Sequence, residues 1–408
     1  MSKLDGLDLL TNSRITSFDK CRYLHLAEYI YGFRRDEDAK PLRYGDRFHV
    51  GLDIHGKGGK PEEIAKWLYA SYQDAYGRGD YDLMIECEQL LRQLYGYLWR
   101  WADDDYEVVA SELQFQLPLI NPKTGAKSRT FMLAGKIDKI IKLPDGRLAV
   151  MEHKTTSKSI KPDSDYWKVL RLNSQITMYY YAARELGYDV QTVVWDAIHK
   201  IGKTPEKAAP QEEIDSGDVY CKTGPRKGEL KKGKRLEDEP VREYGDRMSV
   251  DIGERPEFYY QREQITRLDE DIELWKNETW QRGKSMQDAI KNGWHFRNTN
   301  SCTDPYRCHL LDVCESRSFE RLADGQVPEG FVKLEWRHPE LEFDYDDTGK
   351  STAEPAAATA AATATETNDD AVDAGDPEER TGENDGNGGS AVGIPDGSGD
   401  DAGAVDPS

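Results

Sequence analysis

The spacing of hydrophobic positions changes along this chain. Thr16 to Arg34, Leu42 to His55, Pro61 to Tyr76 and Leu83 to Asp103 carry helical spacing, the last through Leu90, Leu91, Leu94 and Leu98. A strand-like block follows. Glu107 to Ile120 alternates, and Phe131 to Leu143 (FMLAGKIDKIIKL) is rich in isoleucine. Pro144-Asp145-Gly146 is a strong turn signal, and Arg147 to Lys154 (RLAVMEHK) reads as the returning strand. Tyr166 to Leu186 reads as one helix, Thr192 to His199 as a strand, and Glu257 to Asn292 as one long polar helix. Strands interleaved with helices predict an α/β fold with a mixed sheet.

Two stretches lack this patterning. Lys200 to Arg255 is rich in Lys, Glu, Gly and Pro and reads as a long loop or an extended hairpin. Its basic part, Cys221 to Arg235, is either a solvated charged loop or a loop that tracks phosphates. The second stretch is the C-terminal tail, 344–408, expected to be disordered and acidic: no aromatic residue follows Tyr345, so it cannot offset its ordering entropy.

Charge follows this division. The 408 residues carry 76 acidic and 55 basic side chains, a net −21. The tail holds 17 of the acids and 2 of the bases, leaving 59 against 53 before it. Residues 1–343, the expected folded domain with its insertion at about 200–255, are therefore nearly balanced, and net charge neither suggests nor excludes a polyanionic partner. No run of eighteen apolar residues exists, so no membrane-spanning helix is expected. The N-terminus lacks a basic start followed by an apolar core, so a cytoplasmic location is expected. Six cysteines are too few for a disulfide scaffold and, without export, would stay reduced.

The richest chemistry lies in GKIDKIIKLPDGRLAVMEHKTT. Strand side chains alternate, so Glu152 and Lys154 share a face while His153 points away. The turn folds Asp138 toward Glu152. Two carboxylates and an ammonium on one face are expensive to desolvate without a purpose. Hard oxygen ligands suit Mg²⁺ or Mn²⁺, and a nearby lysine orients a water or balances a phosphate. A surface hairpin with an ordinary ion pair is the competing reading.

These residues resemble the PD-(D/E)XK nucleases, and within them the RecB-like branch that includes the CRISPR-associated four-cysteine exonucleases and related phage proteins. Gly135-Lys136-Ile137-Asp138 and Glu152-His153-Lys154 match the two strand motifs. Gln175-Ile176-Thr177-Met178-Tyr179 matches the following Gln-x-x-x-Tyr helix, and Gly45-Asp46-Arg47-Phe48-His49 the upstream Gly-x-x-x-His helix. The resemblance spans Ile15 to Arg317. It implies a restriction-endonuclease-like core, with a mixed central sheet flanked by helices. His49, Asp138 and Glu152 would be the metal ligands, and Lys154, Gln175 and Tyr179 would complete the catalytic set. Glu112, on the preceding strand, is a further supporting or metal-binding candidate, whereas His55 and His153 fall off the pattern.

Cys302, Cys308 and Cys314 are evenly spaced, with Cys21 far upstream. The branch uses such an arrangement for a [4Fe-4S] cluster joining the N- and C-terminal helical regions. Zinc is the alternative, and the five-residue spacing departs from the common pattern of the branch. Cys87 and Cys221 are expected to be non-ligands. The resemblance implies a metal-dependent DNA exonuclease acting on single strands or duplex ends, in phage or bacterial recombination, repair or CRISPR-type processing. The alternative is an inactive nucleic-acid-binding or accessory protein of the same fold, working in a complex. Protein partners from recombination or CRISPR adaptation and a homo-oligomer are further expectations of the resemblance.

Overall fold

The computed structural model describes residues 3–4, 7–36, 40–304 and 306–341. All belong to the first of two units into which the chain divides, Met1–Ala358; the second is Thr359–Ser408. The tail expected to be disordered lies outside the described residues.

The centre is a seven-stranded mixed sheet. Its strands are Lys3–Leu4, β1 (Leu7–Leu10), β2 (Glu107–Ile120), β3 (Lys127–Lys142), β4 (Leu148–Thr156), β5 (Val190–His199) and β6 (Tyr260–Ile265). The expected strand block is present, and β3 is its hub. Antiparallel β2 runs along one edge of β3. The other edge is shared: parallel β1 pairs at Phe131 to Leu133, and antiparallel β4 pairs at Lys139 to Lys142. β5 continues parallel to β4, and β6 closes antiparallel on β5.

Helices cover both faces. Helices α1 (Asn12–Lys20), α4 (Ser174–Glu185) and α6 (Asp269–Asn292) bury Ile15, Phe18, Ile176, Met178, Trp275 and Met286 against one face. A second core joins α2 (Lys40–Gly56), α3 (Tyr81–Arg100) and α5 (Val241–Glu254) through Phe48, Leu52, Leu90, Leu94, Tyr244 and Met248. A third, smaller core packs Leu24, Leu26 and Phe33 from near the N-terminus against Leu310, Val313 and Phe319.

Four expectations need correction. The helix expected over Thr16 to Arg34 breaks at Cys21, which is extended, with φ −163° and ψ 124°. The break is compensated from far along the chain: Asn298 Nδ2 donates to the Lys20 carbonyl at 2.9 Å. The single helix expected over Tyr166 to Leu186 is two, Asp165–Leu170 and α4, because Asn173 caps α4 by accepting from the Gln175 and Ile176 amides. The long helix expected over Glu257 to Asn292 yields its start to Pro256–Tyr259 and β6, whose backbone pairs with β5. The Lys200 to Arg255 stretch is only partly loop. It contains a small hairpin bridged at Tyr220 and Leu230, and then α5, whose Tyr244, Met248 and Ile252 are buried.

Candidate active site

The hairpin ladder stops at a fork. β3 and β4 pair from Lys142↔Leu148 to Lys139↔Met151, and the next opposed positions, Asp138 and Glu152, lie beyond the last pair. The His153 amide, which would have continued the ladder, donates instead to Asp138 Oδ2 at 2.9 Å. A backbone donor is thus satisfied by a candidate ligand, and the two carboxylates sit where the strands separate. Both are nearly buried, Asp138 at 9% exposure and Glu152 at 3%.

Helix packing on both sides completes the fork. α2 packs on the end of β4, where a Cβ at Gly45 would meet Thr155 Oγ1 at an ordinary 3.4 Å. One turn on, His49 Nδ1 comes within 3.5 Å of Asp138 Oδ2. A Cβ at Gly135 would meet the Phe115 ring at 2.6 Å and the Tyr179 ring at 3.2 Å, so only glycine lets α4 settle there unchanged. From α4, Gln175 Nε2 donates to Glu152 Oε1 at 2.9 Å and to the Tyr179 hydroxyl at 3.1 Å. Lys154 Nζ stands 3.8 Å from Glu152 Oε1, its side chain 45% exposed. His49, Asp138, Glu152, Lys154, Gln175 and Tyr179 are therefore brought together.

The carboxyls are driven apart electrostatically. Burial pushes Asp138 up, but the His49 and His153 imidazoles, the His153 amide and Lys154 outweigh it and hold Asp138 below the usual range. Burial and then the Asp138 charge push Glu152 well above its usual value. Glu152 Oε2 is buried with no hydrogen-bond partner. Burial, with the nearby Glu152 carboxylate adding to it, raises the Tyr179 phenol. Glu112 lies between the pairs Ser111↔Lys139 and Leu113↔Ile137, opposite Asp138. It has φ +50°, rare for a residue with a side chain, and pairs with Lys136. Burial raises its carboxyl against the pull of Lys136.

His153 faces the other side, as alternation predicts. Its Nδ1 lies 3.1 Å from Asp196 Oδ2. Asp196 is fully buried, accepts from the Tyr97 hydroxyl and pairs with Arg262 Nε at 3.0 Å. Sequence reasoning missed this group, because its members come from α3, β4, β5 and β6 and share no local motif. His55 is exposed near the end of α2.

The cysteines gather more loosely. Cys21 lies between α1 and the next helical turn, and accepts from the Asn298 amide at 3.5 Å. Cys308 donates its amide to the Cys302 carbonyl at 2.7 Å, and Cys314 sits in the short helix Leu311–Glu315. Cys21, Cys308 and Cys314 pack on the third core. Burial raises the Cys308 thiol, and Cys21 and Cys302 are close enough to raise it further. Burial raises Cys314 as well, with Cys308 and Cys21 adding to it. Among the described residues, no three His, Cys, Asp or Glu side chains stand together as a ready metal site, either here or at the fork. The expected cysteine metal cluster is thus not shown, although the four thiols share a neighbourhood. Cys87 is buried in α3 and Cys221 lies in the small hairpin, apart from this group.

Among the described residues, no helix is long and apolar enough to cross a membrane. No curated protein matches the chain. Among solved structures, a "Putative exonuclease" from Eubacterium rectale is 11% identical, with TM-score 0.34, covering 76% of this chain and 87% of that one. A second, SSO0001, is 16% identical, with TM-score 0.18, covering 38% and 70%. At these scores neither bears on the fold or the site. The profile of the PD-(D/E)XK nuclease superfamily, in contrast, matches residues 10–315, about three quarters of the chain and the whole of the fork. With that match, the chain belongs to the PD-(D/E)XK nuclease superfamily.

Proposed function

We propose that this protein is a divalent-metal-dependent exodeoxyribonuclease that hydrolyses phosphodiester bonds on single strands or at duplex ends. The observation that carries this reading is Glu152 Oε2, buried without a donor beside Asp138 and His49. A buried carboxylate oxygen left unpartnered is costly, and a hard divalent cation offsets that cost. Asp138, Glu152 and His49 would hold Mg²⁺ or Mn²⁺, the imidazole tilting preference toward Mn²⁺. When bound, the ion would supply charge stabilisation at the phosphate and an acidified water.

The chain's own residues do the rest. The surroundings keep Asp138 anionic and ready to ligate. Gln175 holds the Glu152 carboxylate through Oε1 and is itself braced by Tyr179. Lys154 reaches toward solvent from the open side, where its ammonium orients the attacking water or balances phosphate charge. Cys21, Cys302, Cys308 and Cys314 would hold a [4Fe-4S] cluster, with zinc as the alternative. Burial keeps Cys308 and Cys314 protonated until a metal displaces the protons. That role is structural, tying Cys21 to the C-terminal segment.

Polarity-labelled single strands and duplexes, incubated with Mg²⁺ or Mn²⁺, test the reading. Degradation by the parent and a loss on the order of 10²-fold or more in Lys154→Ala are expected. A Lys154→Ala protein that cuts like its parent assigns the activity to a contaminant and overturns the proposal. Iron and zinc analysis of the purified chain decides the cysteine ligand, and the absence of both defeats the cysteine reading. A pull-down identifies any recombination or CRISPR-adaptation partner.

A further inference from the structure

Large exposed aromatic side chains are unevenly placed. Among the described residues they are Tyr69, Trp99, Trp294, Phe296 and Tyr306, so three of the five fall within one short segment that also carries Cys302. Trp294, Phe296 and Tyr306 are 63%, 56% and 60% exposed. That is a costly way to leave rings unless something covers them.

The segment touches the active-site strand. The Tyr306 hydroxyl lies 3.1 Å from Ser157 Oγ, three residues beyond Lys154. Cations accompany the rings. The Arg22 guanidinium lies 4.3 Å from the Phe296 ring centroid and 4.8 Å from that of Phe18. Lys158 and Lys161 are exposed, with no ion pair among the described residues. Residues 157–161 and 294–307 together carry Lys158, Lys161, Arg297 and Arg307 against Asp304, and Arg307 pairs with Asp312, so Lys158, Lys161 and Arg297 are the further cations that accompany the rings. Residues 1–343 are nearly balanced, 59 acids against 53 bases, so this segment is locally basic.

Resting on the nuclease reading above, we propose that this face is a stacking track that guides a single DNA strand toward the carboxylate fork. Flat exposed rings fit unstacked bases, which a duplex does not offer, and the cations fit the phosphates between them. The Tyr306–Ser157 contact gives the track its outlet beside Lys154.

The test is binding by the full chain to a labelled single-stranded oligodeoxynucleotide and to its blunt duplex, followed by fluorescence anisotropy. Ca²⁺ replaces Mg²⁺, and gels confirm that the strand stays intact. Tyr306→Ala and Phe296→Ala should each raise the single-strand Kd roughly 10-fold while changing the duplex Kd by less than about 2-fold. Tyr306→Phe, which keeps the ring, should stay near the parent. Melting temperatures should match, since the rings are exposed. If the parent degrades single strands and both alanine variants bind them as tightly as it does, the track is overturned and the nuclease reading survives. In that case the rings face a protein partner. A parent that cuts duplex ends and ignores single strands also overturns the track alone. A parent that cuts no DNA with any metal sinks the nuclease reading and the track with it.

Discussion

The fork and the cysteine segment are both candidate metal-binding regions, yet they are built in opposite ways. At the fork every donor rides on a strand or helix. Register places Asp138 opposite Glu152, the His153 amide holds one, and Gln175 holds the other. In the cysteine segment the thiols sit on loops, on a helix break and in a five-residue helix. The ladder and these hydrogen bonds position the carboxyls of the first region, although no three of its donors stand together as a ready metal site. The second is gathered by packing on a small core and needs a ligand to close it. Position fixed by secondary structure survives metal removal, whereas position fixed by loops depends on the metal itself.

The largest effect expected from this contrast is at Glu152. Glu152→Gln removes a carboxyl that burial and Asp138 already oppose, while Gln175 can turn its amide to keep a hydrogen bond. Nuclease turnover should fall on the order of 10²- to 10³-fold. Metal-free stability in urea should hold or rise by about 1 kcal/mol. A variant that unfolds more easily than its parent would show that the fork is not pre-organised.

The cysteine region should behave in the reverse manner. Cys302→Ser should lower the melting temperature of the metal-loaded protein by several degrees, an effect of about 2 kcal/mol on a chain of this size. Removing iron or zinc from the parent should bring it to the same value. If chelation leaves the parent's melting curve unmoved, the contrast between the two regions fails.

The smallest effect is a pH dependence near the N-terminus. His25 is buried, and Arg14 Nε donates to its Nε2 at 3.2 Å. Burial, then the Arg14 charge, holds this imidazole well below 6.5. The unfolded chain therefore binds the proton first. The stability that neutral His25 contributes is present above pH 6.5 and is lost as pH falls from there toward the folded value. His25→Gln should remove up to about 1.4 kcal/mol per pH unit from the slope below 6.5, as read from urea titrations at pH 7, 6 and 5. An unchanged slope places that proton elsewhere.

Much of the fork was legible in the chain, since alternation and a Pro-Asp-Gly turn are local signals. That pattern alone puts Asp138, Glu152 and Lys154 on facing strands. The Gln175–Tyr179 spacing likewise placed both on one helix face. β6 was not legible: Tyr260 to Ile265 is polar through its middle and becomes a strand because β5 offers it an unpaired edge. Helix α5 hid inside a charged stretch, because its apolar residues are few and gain their role only against α3.

The sequence by itself determined the order of the chemistry, the turn that folds Asp138 toward Glu152, and which neighbours share a face. Those features depend on residues a few positions apart, whose periodicity is written into the chain. The tertiary structure alone decided where the β3–β4 ladder ends, that α2 lies near enough for His49 to reach Asp138, and that Asn298 caps the break at Cys21. The last two join distant segments, the first depends on how β1 and β4 share one edge of β3, and their energies exist only once those elements have packed on the same sheet or core.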